Sequence, residues 1–356
     1  MAANTLSMFY REMPLFGVDI GYNSIKVMQI SGSKDNYAVT AYGAADFDPQ
    51  LIKDGVITDP KPLARQMQKL LVEKMSGAID TTRISIAIPS ARTFIRSVIL
   101  PAQAIDDLSN AVRLEIEQYI PLPMRELYTD YTINRKTDKD IQLLVAAVPQ
   151  KIVDSYLALI SLLELEVIAV EPTLTAVSRL FAELDHASDI PTVIIDFGAV
   201  ASDVIVYDGG VITAGTVPGG GENLTALIAG KLQITTQESH FMKTRYGIGP
   251  GIKQGEIRNA VKPQLDQIVE EVRRVMRYYE EHAPGKKIGQ IVTTGGGSNL
   301  LGLNDYITEA LRAPARSFVP WQKLAFKTTT RPNDVEKSIY ITSGGLALLK
   351  PKEIFT

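Results

Sequence analysis

The sequence predicts an α/β protein built from two similar halves that face one another across a cleft. Three observations point there. Apolar runs of strand length alternate with segments of helical spacing. A hydrophobic strand ending in Asp-x-Gly, followed by a turn and a second strand, occurs near the N-terminus and restarts from Ile190. Glycine turns follow predicted strands at Gly21, at Gly198 and at Gly295 to Gly297. A repeated hairpin with an Asp on its first strand implies equivalent halves, and two facing halves imply a cleft.

In chain order, LFGVDIGYNSIKVMQI from Leu15 holds two β-branched-rich runs broken by Gly21, Tyr22 and Asn23, the pattern of a hairpin with a tight turn. A third strand is expected near Tyr37 to Ala44. Behind Asp59-Pro60, the residues Leu63, Met67, Leu70, Leu71 and Met75 recur at helical spacing. RISIAIPSARTFIRSVIL from Arg83 reads as a strand pair around Pro89 and Ser90. Ile105, Leu108, Val112, Ile116, Tyr119 and Ile120 lie along one side of a helix over 103–120 that stops at Pro121-Leu122-Pro123. Strands over 127–134 and 141–148 are joined across the charged turn RKTDKD, and a helix runs from about Lys151 to Leu163. That strand, helix, strand, strand and helix group, over 93–165, reads as a small inserted domain.

The second half opens with IPTVIIDFGAVASDVIVYDGGVITAGTVPGGG, three strands with tight turns between them. A helix from Pro263 to about Glu281 carries Leu265, Ile268, Val269, Val272, Met276 and Tyr279 on one face, and its EEVRR run reads as a solvated face. IGQIVTTGGGSNLLGLNDYITEAL is a buried strand, a glycine turn and a helix.

Composition narrows the function. The 356 residues suffice for at least two cores, and 45% apolar with 22% charged residues is an ordinary globular balance. A net charge of -3 without a Lys/Arg run argues against a nucleic-acid partner. The absence of cysteine excludes disulfides, thiolate metal sites and cysteine nucleophiles, and fits a reducing compartment. His186, His240 and His282 are scattered, so a catalytic metal is expected on oxygen ligands. The opening MAANTLSMFYREMPLF lacks the apolar centre of a secretory signal, and Glu164 and Glu166 interrupt the richest apolar stretch, so no segment reads as membrane-spanning. Met8, Phe9 and Tyr10 read either as a frayed terminus or as an arm for a membrane or partner.

Glycine lets backbone N–H groups turn toward an anion without a side chain in the way, so the three glycine turns together suit a phosphate cradle; each alone is ordinary turn chemistry. Asp19 and Asp196 end equivalent strands and would enter the cleft from opposite sides. Magnesium binds through a few carboxylates plus substrate phosphates, which suits such a pair. The alternative is that each Asp caps its own turn.

These residues resemble the actin-like ATPase family over nearly the whole chain, and within it the FtsA/PilM group. GVDIGYNSIKVMQI is similar to the family's first phosphate motif, DFGAVAS to the second and GGGSNLLGL to the adenosine motif. EPTLTAV at Glu171 and ITSGGLALL at Ile341 resemble the two connecting helices. PGGGENLT and QESHFMKTRYG are similar to a stretch shared by PilM and FtsA. The resemblance implies an actin-like, ribonuclease H-like two-domain fold with an inserted subdomain of the FtsA/PilM type. Its subdomains would be 1–92 with 166–188 (1A), 93–165 (1C), 189–219 with 287–356 (2A) and 220–286 (2B).

It also implies ATP and Mg2+ as ligands. Asp19 and Asp196 would hold magnesium, directly or through water. Gly21, Asn23, Ser24 and Lys26 would meet the phosphates from the first half, and Gly198, Ala199 and Ser202 from the second, with Gly219 and Gly220 among the nucleotide-binding residues. Gly295, Gly296, Gly297 and Ser298 would lie along the adenosine, with Lys243 over the ribose or base, and Glu171 would orient an attacking water. Lys26 and Lys243 also read as surface lysines, and Glu171 as a helix cap. Tyr22 stands where most relatives carry a small residue, and His240 where they often carry Glu.

The implied function is a bacterial cytoplasmic adaptor of type IV pilus assembly at the inner face of the cytoplasmic membrane. Its groove between the first half and the inserted subdomain would take the N-terminal cytoplasmic peptide of a PilN-like inner-membrane protein. Membrane contact would be indirect, self-association is a further expectation, and ATP would be a clamp hydrolysed slowly at most. The ending LALLKPKEIFT, soon after the last helix, favours this over an FtsA-like cell-division filament protein, the alternative. A sugar or acetate kinase ranks below both, since only Glu171 offers itself as a base.

Overall fold

A computed structural model describes residues 13–33, 36–326 and 329–350. Met8, Phe9, Tyr10 and residues 351–356 lie outside the described residues. The first half begins with strands β1 (Phe16–Ile20), β2 (Ser24–Ser31) and β3 (Ala38–Asp46), helix α1 (Pro60–Glu73) and strand β4 (Arg83–Ile88). Strand β5 (Phe94–Pro101), helix α2 (Leu108–Tyr119), strands β6 (Leu127–Lys136) and β7 (Asp140–Pro149) and helix α3 (Gln150–Ser161) follow. The chain then returns through β8 (Glu166–Pro172) and α4 (Thr173–Leu184). The second half holds β9 (Thr192–Phe197), β10 (Ala201–Tyr207), β11 (Val211–Pro218), α5 (Gly221–Leu232), α6 (Thr236–Tyr246) and α7 (Ile252–His282). It continues with β12 (Gln290–Thr294), α8 (Leu303–Leu311), β13 (Ala315–Ser317) and α9 (Ile341–Ala347).

The two main sheets have the same strand order, β8-β4-β1-β2-β3 and β13-β12-β9-β10-β11. In each, the first strand runs antiparallel to the second and parallel to the fourth. The duplicated hairpin is therefore the start of a duplicated ribonuclease H-like domain, and the fold is actin-like.

Burial on both faces explains why β1 and β9 read as continuous apolar runs. Val193, Ile195 and Phe197 of β9 pack toward α5, α7 and α8, while Ile194 packs toward α4. Phe16, Val18 and Ile20 of β1 pack against α1 and α3, and Gly17 faces α9, where a Cβ would lie 2.1 Å from Ser343 O. Helices α4 and α9 thus form a shared layer between the sheets. The inserted segment makes its own antiparallel sheet, β5-β7-β6, whose Val98, Leu100, Ile141, Leu143 and Val145 are covered by Val112 and Ile116 of α2.

Three expectations change. The strands flanking Pro89 and Ser90 do not pair with each other. A 3-10 turn over Ser90–Arg92 separates them, β4 joining the first main sheet and β5 the inserted one. The helix expected over 103–120 opens as a 3-10 helix, Ala102–Asp107, and is α-helical from Leu108 to Tyr119. Helix α7 begins at Ile252, not Pro263, because Ile257, Ala260 and Val261 extend its buried stripe. Pro263 sits on the exposed side, where its missing N–H costs only local helix energy.

Candidate functional site

The first hairpin closes with the Gly21 N–H donating to Ser24 O at 2.9 Å, and its register sets Asp19 opposite Lys26. Lys26 Nζ lies 3.3 Å from Asp19 Oδ2, with side-chain exposures of only 12% and 10%. Lys26 is therefore not a surface lysine. Asn23 O accepts from the Phe47 N–H at 2.9 Å, which ties the turn to the end of β3. Ser24 Oγ lies 3.4 Å from Asn23 Oδ1, and Tyr22 projects outward, 44% exposed.

In the second hairpin the same register sets Asp196 opposite Asp203. Asp196 keeps part of its surface open to the cleft but sits deep, and its carboxyl is pushed up to about 7 by burial first, then by the charges of Asp203 and Asp19; Lys26 opposes the shift. Residues of the first half thus act on a carboxylate of the second, so the hairpin ends face each other.

The second turn is tied to the start of α5. Gly198 O and Ala199 O each accept at 2.9 Å, from the N–H groups of Gly221 and Glu222. The Ser202 hydroxyl donates to Gly219 O at 3.0 Å, and the Gly219 N–H donates to Val200 O at 2.8 Å. A Cβ on Gly220 would lie 2.2 Å from Gly198 O, so no side chain fits there. The Ser202 hydroxyl and the N–H groups of Gly219 and Gly220, the last bonded to Asn223 Oδ1 at 3.3 Å, are engaged within the protein and shape the turn.

Lys243 is likewise half-buried and engaged rather than freely solvated. Its Nζ donates to Gly221 O and to Thr225 Oγ1, both at 2.7 Å, and burial lowers its pKa. A Cβ on Gly221 would come 3.8 Å from this ammonium and 4.0 Å from Gly297 Cα, so the lysine, the start of α5 and the third glycine turn converge. Gly295, at φ +79°, has room only for hydrogen, since a Cβ would lie 2.3 Å from Asp196 Oδ1. Gly296 and Ser298 continue that turn as a 3-10 helix, with Ser298 Oγ donating to Gly295 O at 2.7 Å. Thr294, register partner of Asp196, holds a buried hydroxyl without a partner among the described residues. Such an orphan is a place for a ligand atom. The sequence reading missed it; its one signal is its place directly before the three glycines.

Glu171 is committed elsewhere. Arg179 donates to its two oxygens at 2.7 and 2.8 Å, and Thr175 donates at 2.6 Å. Arg179 also donates to Gly345 O at 3.1 Å, which ties this carboxylate to α4 and α9.

Among the described residues no three His, Cys, Asp or Glu side chains form a metal-binding group. Two facing carboxylates therefore fit magnesium only if phosphate oxygens and water complete its shell, its usual manner of binding. The buried lysines and the orphaned Thr294 hydroxyl suit the same anionic guest.

Beside the cleft lies a groove of about 560 Å3. Phe94 to Val98 of β5 form one wall, Glu115, Ile116 and Tyr119 of α2 another, and Thr213 to Thr216 of β11 with Arg274 and Tyr278 of α7 a third. The expected groove lay between the first half and the inserted segment; the first half lines it through Ser90 and Leu174, and the second half adds a wall of its own. Strands β5 and β11 are both edge strands, so unpaired backbone groups border the groove on two sides. Arg96 lies over the Tyr119 ring at 3.6 Å, and Ser97 Oγ is buried without a partner among the described residues.

The family described as type IV pilus assembly protein PilM matches residues 17–350. A solved PilM-PilN type IV pilus biogenesis complex superposes with a TM-score of 0.79 at 22% identity, covering 95% of this chain and 98% of that one. The ethanolamine utilization protein EutJ from Carboxydothermus hydrogenoformans gives 0.56 at 14% identity, covering 95% and 90%. Both are likenesses of fold. No helix among the described residues is long and apolar enough to cross a membrane.

Proposed function

This chain belongs to the PilM family of type IV pilus assembly proteins, and from that premise we propose that it is a nucleotide-clamped adaptor of pilus assembly. The N-terminal cytoplasmic peptide of a PilN-like inner-membrane protein lies extended in the groove, bonding along the edges of β5 and β11 with side chains in its apolar recesses. The adaptor works at the cytoplasmic face of the inner membrane and touches it only through this partner. The observation that carries the reading is the groove itself: it is lined by two edge strands, β5 of the inserted sheet and β11 of the second half.

The cleft binds ATP with Mg2+. Asp19 and Asp196 hold the cation, directly or through water, and the cation neutralises phosphate charge. Gly21, Asn23, Ser24 and Lys26 meet the phosphates from one side and Gly198 and Ala199 from the other. Gly295, Gly296, Gly297 and Ser298 run along the adenosine beside Lys243. Ser202, Gly219 and Gly220 act by holding the second turn in shape. Because ligand contacts come from both halves, binding favours the closed arrangement by its differential affinity for it. Turnover is slow, since Glu171, held by Arg179 and Thr175, is not free to orient water.

The test is fluorescence anisotropy of the labelled N-terminal peptide of the PilN-like protein, titrated with this protein with and without magnesium-ATP. Saturable binding at micromolar concentration or tighter is expected. No binding in either state would overturn the adaptor reading.

A further inference from the structure

The duplicated hairpins differ in charge at the position that faces the strand-end aspartate. Lys26 stands opposite Asp19 in the first, and Asp203 stands opposite Asp196 at the same offset in the second. Where the first half sets a cation against its carboxylate, the second sets another carboxylate, 8% exposed. Hydroxyls solvate it. Thr216 of β11 donates to Asp203 Oδ1 at 2.6 Å, and Thr173, the first residue of α4, donates to Oδ2 at 3.3 Å. Thr173 Oγ1 lies 2.6 Å from Ser90 Oγ and accepts from the Ser90 N–H at 3.2 Å, while Ser90 Oγ accepts from the Leu174 N–H at 3.1 Å.

Ser90 and Thr173 belong to the first half, Asp203 and Thr216 to the second. Ser90 and Thr216 also line the groove, whereas Asp203 neighbours Asp196 in the cleft. A single hydrogen-bonded set therefore crosses the junction and reaches from the groove wall to the cleft.

We propose that Asp203 is the positioning residue that couples groove to cleft, through the first-half hydroxyls of Thr173 and Ser90 that complete its hydrogen bonding only when the halves are closed. Opening would withdraw those donors and leave the carboxyl with Thr216 as its one protein donor, and a recessed polar group with incomplete hydrogen bonding is costly. A peptide resting on Ser90 and Thr216 holds the set together from one side, and closure around magnesium-nucleotide holds it from the other. Each ligand thereby favours the state the other needs. This inference rests on the function proposed above and adds the residues that link its two sites.

The experiment uses the full chain, the labelled PilN-like peptide and magnesium-ATP, and reads the ratio of peptide Kd values without and with nucleotide. Wild type should give a ratio of about fivefold or more. Asp203→Asn and Thr173→Val should bring it close to unity while peptide still binds, and Thr173→Ser, which keeps the hydroxyl, should restore it. Thermal unfolding checks that each variant is folded; if Asp203→Asn is not, the Thr173 pair decides. Folded variants that keep the wild-type ratio would overturn the inference, as would a wild type that binds both ligands without coupling. A wild type that binds neither ligand would instead bring down the functional reading, and this inference with it.

Discussion

At residue scale the cleft is an arrangement of charges whose neighbours decide what each can do. Asp19 has Lys26 at its side, and Asp196 has Asp203, so the second carboxyl is held up to about 7 against an ordinary 3.8. The folded protein therefore keeps a proton on Asp196 at pH values where the unfolded chain has lost it, and stability falls as pH rises from near the unfolded value through the folded one. The thermal midpoint of the nucleotide-free protein is expected to drop between about pH 4 and 7, and Asp196→Asn should flatten that drop; parallel slopes in both proteins would refute the assignment. Asp19→Ala and Asp196→Ala should each abolish magnesium-dependent ATP binding in calorimetry, and unchanged affinity in both would exclude the cleft as the site. The equivalent placement of Asp19 and Asp196 was legible because the hairpin repeats. The burial of Lys26 and Lys243 was not, since a lysine in a sequence carries no record of what packs over its stem.

At the scale of elements, two adjacent glycines of α9 make a contrast. A Cβ on Gly345 would stand 1.9 Å from Ala176 O of α4, whereas one on Gly344 would meet only side-chain atoms, at 3.4 Å or more. Gly345→Ala must push the central helices apart and should cost on the order of 1–3 kcal/mol. Gly344→Ala should be neutral or stabilising by up to about 1 kcal/mol, since alanine is the better helix former. Denaturant unfolding of the pair separates these outcomes, and equal effects would refute the close crossing. Helix α7 offers a test of opposite sign: Pro263→Ala, on its exposed side, should raise stability by about 1–2 kcal/mol, the helix gain less the entropy proline removes from the unfolded chain. A lowered thermal midpoint would mean that proline shapes the helix. Strands and helices were legible from periodicity, but the partners of β4 and β5 were not, because pairing is chosen between distant segments.

For the whole molecule, closure of two halves on one ligand predicts that magnesium-ATP slows amide exchange at all three glycine turns together, residues 20–24, 197–201 and 295–298. Protection confined to one half would contradict a two-sided clamp. Local sequence carried the duplication, the order of the hairpins, the glycine turns and the carboxylate at the end of each first strand, because these depend on residue spacing and backbone conformation. Tertiary structure alone decided that Glu171 is held by Arg179 and that Ser202 serves the turn rather than standing free. It also decided that the groove takes a wall from the second half and that Asp203 is solvated by hydroxyls from both halves. Each of these depends on which groups far apart in the chain are brought within hydrogen-bonding distance once the halves pack, and spacing along the sequence does not encode that distance.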